Sequence, residues 1–185
     1  MEVGVYGGAF DPPHSGHVAV AQAAKQQYGL PQLVVLVAAA PAHKDVHATA
    51  EERLELARAA FPVDDVRLDP HARTIDFLRA AEVEQPLLVI GADQFSSFPT
   101  WKEPDAVLEL ARLAVATRPG FPRDEIEPVL RELEQPERVL FFDLEPNPAS
   151  SSRIRELVAA GESVDGLVPP AVAALIEARG LYRTG

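Results

Sequence analysis

Two histidines three positions apart, His14 and His17, close the run Gly7-Gly8-Ala9-Phe10-Asp11-Pro12-Pro13-His14-Ser15-Gly16-His17. A short apolar stretch, Val3 to Tyr6, precedes it, and residues at helical spacing (Val18, Val20, Ala21, Ala24, Tyr28) follow. Strand, glycine turn and helix in that order aim the unpaired N–H groups of the helix start at whatever lies above the sheet. Gly7 and Gly8, without a Cβ, let a bulky anion approach the main chain. Both histidines fall in the first helical turn and share one face. Two imidazoles at the positive end of a helix dipole suit a polyphosphate that gains negative charge as it reacts. Far along the chain stands a second group of matching chemistry, Ser150-Ser151-Ser152 followed by Arg155. Hydroxyls at a helix start cap N–H groups or donate to phosphate oxygens, and a guanidinium can fork onto two of them. Taken singly, the first run also reads as a glycine turn before two solvated histidines, and the second as an ordinary N-cap.

A scaffold must bring these groups to one place. Five further runs read as strands: Leu33 to Val37, Val63 to Leu68, Leu87 to Ile90, Leu113 to Thr117 and Val139 to Asp143. Leu33 to Val37 is continuously apolar, as in a parallel strand covered on both faces. Thr49 with Glu52 makes a capping box for a helix over residues 51–60. Helical segments are also expected from the loop at Thr74 to about Glu84, over residues 105–110 and 123–134, and after Pro169-Pro170, where Gly180 closes the last one. The pattern predicts an α/β fold: a Rossmann-like doubly wound parallel sheet of five to six strands with flanking helices. It reads as a single domain, 1–185, in which residues 150–183 form a C-terminal helical part.

In such a sheet ligands bind at the carboxyl ends of the strands. His43 and Lys44 follow the second strand, Gly91 and Asp93 the fourth, and Arg118 the fifth. Gly91 would admit a nucleotide close to the backbone, and Asp93 would accept from ribose hydroxyls. The plainer alternatives are a solvated loop for His43-Lys44 and a helix cap for Asp93. Trp101, the one tryptophan, is either a core residue or a stacking platform. Its neighbours Pro99, Thr100, Lys102 and Glu103 read as a loop, which favours a platform for a flat heteroaromatic. His71 reads as a lone, solvated loop histidine.

The opening run resembles the G-x-F-D-P-x-H-x-G-H signature of the nucleotidyltransferases with an H-x-G-H motif. Ala149-Ser150-Ser151-Ser152-Arg153-Ile154-Arg155 is similar to their I-S-S-T-x-I-R motif, with Ala149 in place of Ile and Ser152 keeping the hydroxyl of Thr. Pro41-Ala42-His43-Lys44, Gly91-Ala92-Asp93, Phe98-Pro99-Thr100-Trp101, Arg118-Pro119-Gly120 and Gly180-Leu181-Tyr182 resemble one branch, the bacterial nicotinate-nucleotide adenylyltransferases. Thr74-Ile75-Asp76 matches the centre of that branch's S-Y-T-x-D-T-L run, but Ala72 and Arg73 replace Ser-Tyr and the loop is shorter. The resemblance spans residues 3 to about 183. It implies adenylyl transfer from ATP to nicotinate mononucleotide, with Mg²⁺ on the nucleotide and pyrophosphate as the second product. Gly8, Ala9, Phe10, His14, His17, Gly91, Asp93, Ser150, Ser151, Ser152 and Arg155 would then bind ATP. His17 would meet the charge at the α-phosphate, His14 would steady the triphosphate, and Arg155 with the serines would hold the leaving pyrophosphate. His43, Lys44, Thr74, Trp101 and Arg118 would bind the mononucleotide. Donors for a pyridine carboxylate would be backbone N–H groups near Thr74 or Lys102.

The bulk properties narrow the field. A net charge of −11 excludes a general nucleic-acid binder, and the absence of cysteine excludes a disulfide scaffold or thiolate metal site. No signal segment and no bilayer-length apolar run is present, so a cytoplasmic protein with no membrane partner is expected; a homo-oligomer stays open. No Ser sits in a G-x-S-x-G elbow, so direct in-line attack is expected rather than a covalent intermediate. Four rivals stand beside this reading. Adenylyl transfer to nicotinamide mononucleotide or phosphopantetheine shares the two signatures. A non-catalytic nucleotide sensor would not need both histidines. A dinucleotide-dependent dehydrogenase is disfavoured by the glycine pattern, and a class I aminoacyl-tRNA synthetase by the length and the missing K-M-S-K-S run.

Overall fold

Successive residues of the central strands are apolar, so each strand has to be buried on two sides. The computed structural model describes residues 2–41, 45–81, 83–117 and 123–183. Six strands, β1 (Gly4–Gly8), β2 (Leu33–Ala38), β3 (Asp65–Asp69), β4 (Leu87–Gly91), β5 (Arg112–Thr117) and β6 (Val139–Asp143), form one all-parallel sheet in the order β3-β2-β1-β4-β5-β6. On one face Tyr6, Val35, Val37, Val89 and Phe142 pack with α1 (Ser15–Tyr28), α2 (Ala50–Ala60), α7 (Ser151–Ala159) and α8 (Pro170–Arg179). On the other, Val5, Leu36, Leu88, Ile90 and Val115 pack with α3 (Thr74–Ala80), α4 (Ala92–Ser96), α5 (Pro104–Leu110) and α6 (Arg123–Arg131). This is the expected doubly wound sheet, with all six strands.

Order reverses between β1 and β4, and there the ladder is shortest. Gly4, Val5 and Tyr6 pair with Leu87, Leu88 and Val89, whereas β1 runs on beside β2 as far as Gly8 and Val37. Strands that part at a reversal leave a crevice at their carboxyl ends.

Four boundaries differ from expectation. Strand β1 spans Gly4–Gly8, so Gly7 and Gly8 pair with Leu36 and Val37 as strand residues and do not form the expected turn. Strand β3 starts at Asp65, because Asp64 accepts from the Leu33 N–H and holds Lys25, so its neighbourhood is a polar turn and Val63 stays exposed. Helix α3 stops at Ala80, because the backbone is already extended at Ala81 (ψ 138°). Helix α6 ends at Arg131 rather than Glu134. None of the described helices is long and apolar enough to cross a membrane.

Candidate active site

His14 is the N-cap of α1 and not part of its first turn; its backbone is extended (φ −141°) and its N–H donates to His17 Nδ1 at 3.2 Å. Because Nδ1 accepts, the neutral His17 ring carries its proton on Nε2. The two imidazoles lie 3.7 Å apart, tilted by 31°. Gly16 makes this possible, since a Cβ there would sit 3.0 Å from the His14 ring. Phe10 lies beneath, in a left-handed backbone conformation (φ 51°) with its side chain buried, and meets the His17 ring edge-on at 5.1 Å. Its ring therefore supports His17, and only its main chain can face a ligand. A Cβ on Gly8 would lie 2.9 Å from the Phe10 ring, so the bare Gly8 makes room for that ring.

The serine–arginine run comes to the same place. Ser150 caps α7, its hydroxyl accepting from the Arg153 N–H at 3.2 Å. Ser151 Oγ donates to the Pro12 carbonyl at 2.9 Å, and Arg155 Nη1 donates to the Asp11 carbonyl at 2.7 Å across 144 positions of chain. Ser152 Oγ lies 3.4 Å from Arg155 Nη2 and is exposed. Ser15 Oγ donates to Asn147 Oδ1 at 3.2 Å, and the Ser15 N–H reaches the Leu167 carbonyl at 2.8 Å. Two helix starts, α1 and α7, are thus stitched side by side.

Two residues that the sequence reading left without a role hold this arrangement. Asp11 is buried, and its carboxylate accepts from the main-chain N–H of His47 (2.7 Å) and Ala48 (3.1 Å) and from the Tyr182 hydroxyl (2.8 Å). Burial, with the Asp11 charge and bond adding to it, raises the Tyr182 hydroxyl far above its ordinary value, so it stays a donor at any working pH. Arg53 is only 1% exposed, and its guanidinium donates to four carbonyls: Ala9 (2.8 Å), Ala38 (2.7 Å), Ala39 (3.0 Å) and Ala48 (3.2 Å). Burial lowers its proton affinity and the nearby Asp11 opposes that. A signal for Arg53 was present in the sequence. It shares the buried stripe of α2 with Leu56, Ala57 and Ala60, where an unpartnered arginine is not tolerated.

A cavity of about 840 Å³ opens where β1 and β4 part. Its floor includes Gly7, Gly8, Ala9, Val89 and Ile90, and its walls include Thr74, Trp101 and Lys102. Thr74 begins α3, while Trp101 ends the 3-10 turn Phe98–Thr100, half-buried and edge-on to Phe98 at 5.2 Å. Lys102 Nζ pairs with Asp76 at 2.9 Å. Gly91 ends β4 and caps α4, its N–H bonded to Gln94 Oε1 at 3.3 Å. Asp93 is exposed in the first turn of α4, and it is Gln94 that lines the cavity. His71 is no solvated residue: it lines the same cavity, with Nδ1 2.7 Å from Asp69 Oδ1. A second space, about 660 Å³, is bordered by His47, Ser152, Arg155 and Tyr182. His43, Lys44 and Arg118 lie outside the described residues.

A parallel sheet with an anion-directed helix start at its reversal defines a nucleotide-binding α/β protein of the nucleotidyltransferase fold. A family profile described as cytidylyltransferase-like matches residues 5–157. The chain belongs to this cytidylyltransferase-like family, alongside relatives that carry the name nicotinate-nucleotide adenylyltransferase. One, the "Probable nicotinate-nucleotide adenylyltransferase" of Rubrobacter xylanophilus, is 32% identical over 99% of this chain and 92% of its own. A second of the same name, from Thermus thermophilus, is 35% identical over 99% of this chain and 100% of its own. Among solved structures, the nicotinic acid mononucleotide adenylyltransferase of Plasmodium falciparum complexed with NaAD shares the fold. It has a TM-score of 0.79 at 15% identity, covering 98% of this chain and 97% of its own.

Proposed function

We propose that this protein is a nicotinate-nucleotide adenylyltransferase, joining ATP and nicotinate mononucleotide to give nicotinate adenine dinucleotide and pyrophosphate. The observation that carries the reading is the pair of bonds from Arg155 and Ser151 to the Asp11 and Pro12 carbonyls, which bring the two phosphate-directed helix starts together. ATP lies across that seam, and the mononucleotide occupies the cavity beside Trp101 and Thr74. Its phosphate attacks the α-phosphorus in line as the bond to pyrophosphate breaks, with alignment and charge stabilisation supplying the catalysis. His17 donates from Nε2 to the oxygen where charge grows, and His14 steadies the triphosphate. Arg155 and Ser150 to Ser152 hold the departing pyrophosphate. Trp101 stacks on the pyridine. Lys44, His43 and Arg118 meet the mononucleotide phosphate, and Gly91 with Asp93 the nucleoside of ATP.

The nucleotide substrate is written as its Mg²⁺ complex. Among the described residues no cluster of three or more His, Asp or Glu side chains could hold an ion, and Mg²⁺ is commonly carried by substrate phosphates. Carried there, such an ion would neutralise charge on the leaving group. The acidic, cysteine-free composition and the demand for ATP favour a cytoplasmic setting. Pyrophosphate release with ATP and each of nicotinate and nicotinamide mononucleotide tests the reading. We expect release with both and preference for the acid; preference for the amide overturns the acceptor, and no release with either overturns the function.

A further inference from the structure

His71 stands on the cavity wall between β3 and α3, and the reaction as described leaves it unused. Its Nδ1 is 2.7 Å from Asp69 Oδ1, and its main-chain N–H donates to the same oxygen at 2.9 Å. Phe77 meets the ring edge-on at 6.2 Å. An ionised carboxylate only accepts, so Nδ1 carries the proton and Nε2 is the ring's other polar atom. Asp69 thus pins the residue twice, and the ring's orientation is fixed before any ligand arrives. The charged groups around it are Asp69 from β3, Arg73 at the N-cap of α3, Asp76 from α3, and Lys102, which is bonded to Asp76.

We propose that His71 determines acceptor specificity: its Nε2 reads the substituent on the pyridine ring and favours a carboxylate over a carboxamide. The inference rests on the function proposed above, with the pyridine in this cavity beside Trp101. With a carboxylate at Nε2, an imidazolium held between it and Asp69 would donate from both nitrogens, one charge-assisted bond to each. A carboxamide would offer Nε2 a neutral bond only, from its N–H. Charge-assisted bonds are about twice as strong as neutral ones, which corresponds to a preference on the order of tenfold. A second effect acts in the same direction. His71 covers the Asp69 carboxylate, so its loss turns an uncompensated negative group toward an anionic acceptor.

Steady-state kcat and KM with nicotinate and nicotinamide mononucleotide, for wild type, His71→Gln, His71→Ala and the double variant His71→Ala/Asp69→Asn, test this. His71→Gln keeps a neutral donor and should lower the acid-to-amide ratio of kcat/KM on the order of tenfold. His71→Ala should lower it further, and the double variant should recover part of the loss. The change should fall on the KM for the acid, with kcat and the KM for ATP held within about twofold. A ratio that stays within about twofold of wild type in both single variants, turnover persisting, overturns the role of His71 alone. So does an equal loss of kcat with both acceptors, which marks a merely structural residue. Wild type that releases no pyrophosphate with either mononucleotide overturns the function, and this inference with it.

Discussion

Two regions on the rim of the sheet are built on opposite plans. At the seam of α1 and α7 the polar groups are already bonded to one another: Arg155 to the Asp11 carbonyl, Ser151 to the Pro12 carbonyl, Ser15 to Asn147. At the parting of β1 and β4 the structure offers space instead, about 840 Å³ of it, walled by Thr74, Trp101 and His71. On the function proposed above, the first region holds a highly charged group through a change in its charge, for which donors fixed in advance need little reorganisation. On the same proposal the second admits and releases a flat ring, which needs room and a face. Rigidity serves the chemistry, and open volume serves selection.

His17→Ala should break the first region without touching the second. We expect a loss of ~10²–10³ in kcat with the KM for the mononucleotide nearly unchanged. Circular dichroism should match wild type. More than about a tenth of wild-type turnover would refute the assigned role.

Arg53 belongs to both plans, since it bonds Ala9 on one side and Ala38 and Ala39 at the end of β2 on the other. Arg53→Met keeps the stem and strands four carbonyls. The expected cost is on the order of 3 kcal/mol, a fall of roughly 6–12 °C in melting temperature for a chain of this size. An unchanged melting temperature would show that water replaces the guanidinium without penalty. Trp101→Ala should strike the second region alone, raising the KM for the mononucleotide by roughly 5–30-fold, as expected for loss of a stacking face, with the KM for ATP unchanged.

The smallest effect concerns the cavity wall. A bond to Lys102 holds the Asp76 carboxyl below its ordinary value, and Arg79 does the same for Glu103. Depressed folded-state values mean stability that is present above the unfolded pKa of about 4 and is lost as pH falls through the lower folded one. Lys102→Met should therefore lower the urea midpoint slightly at pH 7 and not at pH 3. A deficit of equal size at both values would point to packing by the lysine stem.

Much of this contrast could be read from the sequence, and the reason differs by region. The central strands announce themselves as apolar runs, as expected of strands covered on both faces, whereas edge strand β3 alternates Val66 and Leu68 with charged residues. At the seam the two helix starts were legible, at His14 and at Ser150, although taken singly each run also reads as an ordinary turn or cap. What the sequence hid were partners distant in the chain. Asp11 reads as one letter of a turn, yet it gathers His47, Ala48 and Tyr182. His71 looked solitary because its neighbour two residues back reads as the polar end of a strand, and only the fold turns both toward the cavity. Arg53 was hidden by composition: arginine is a common surface residue of helices, and its place on the buried stripe went unread.

The short ladder between β1 and β4 has a further consequence. The half-sheets β3-β2-β1 and β4-β5-β6 are joined laterally by three paired positions, against five at each other junction. A dinucleotide lying over that junction bridges them as a splint bridges a joint. The finished product would therefore leave the protein more tightly knit than the empty one, and letting go of it would coincide with the loosest moment of the cycle.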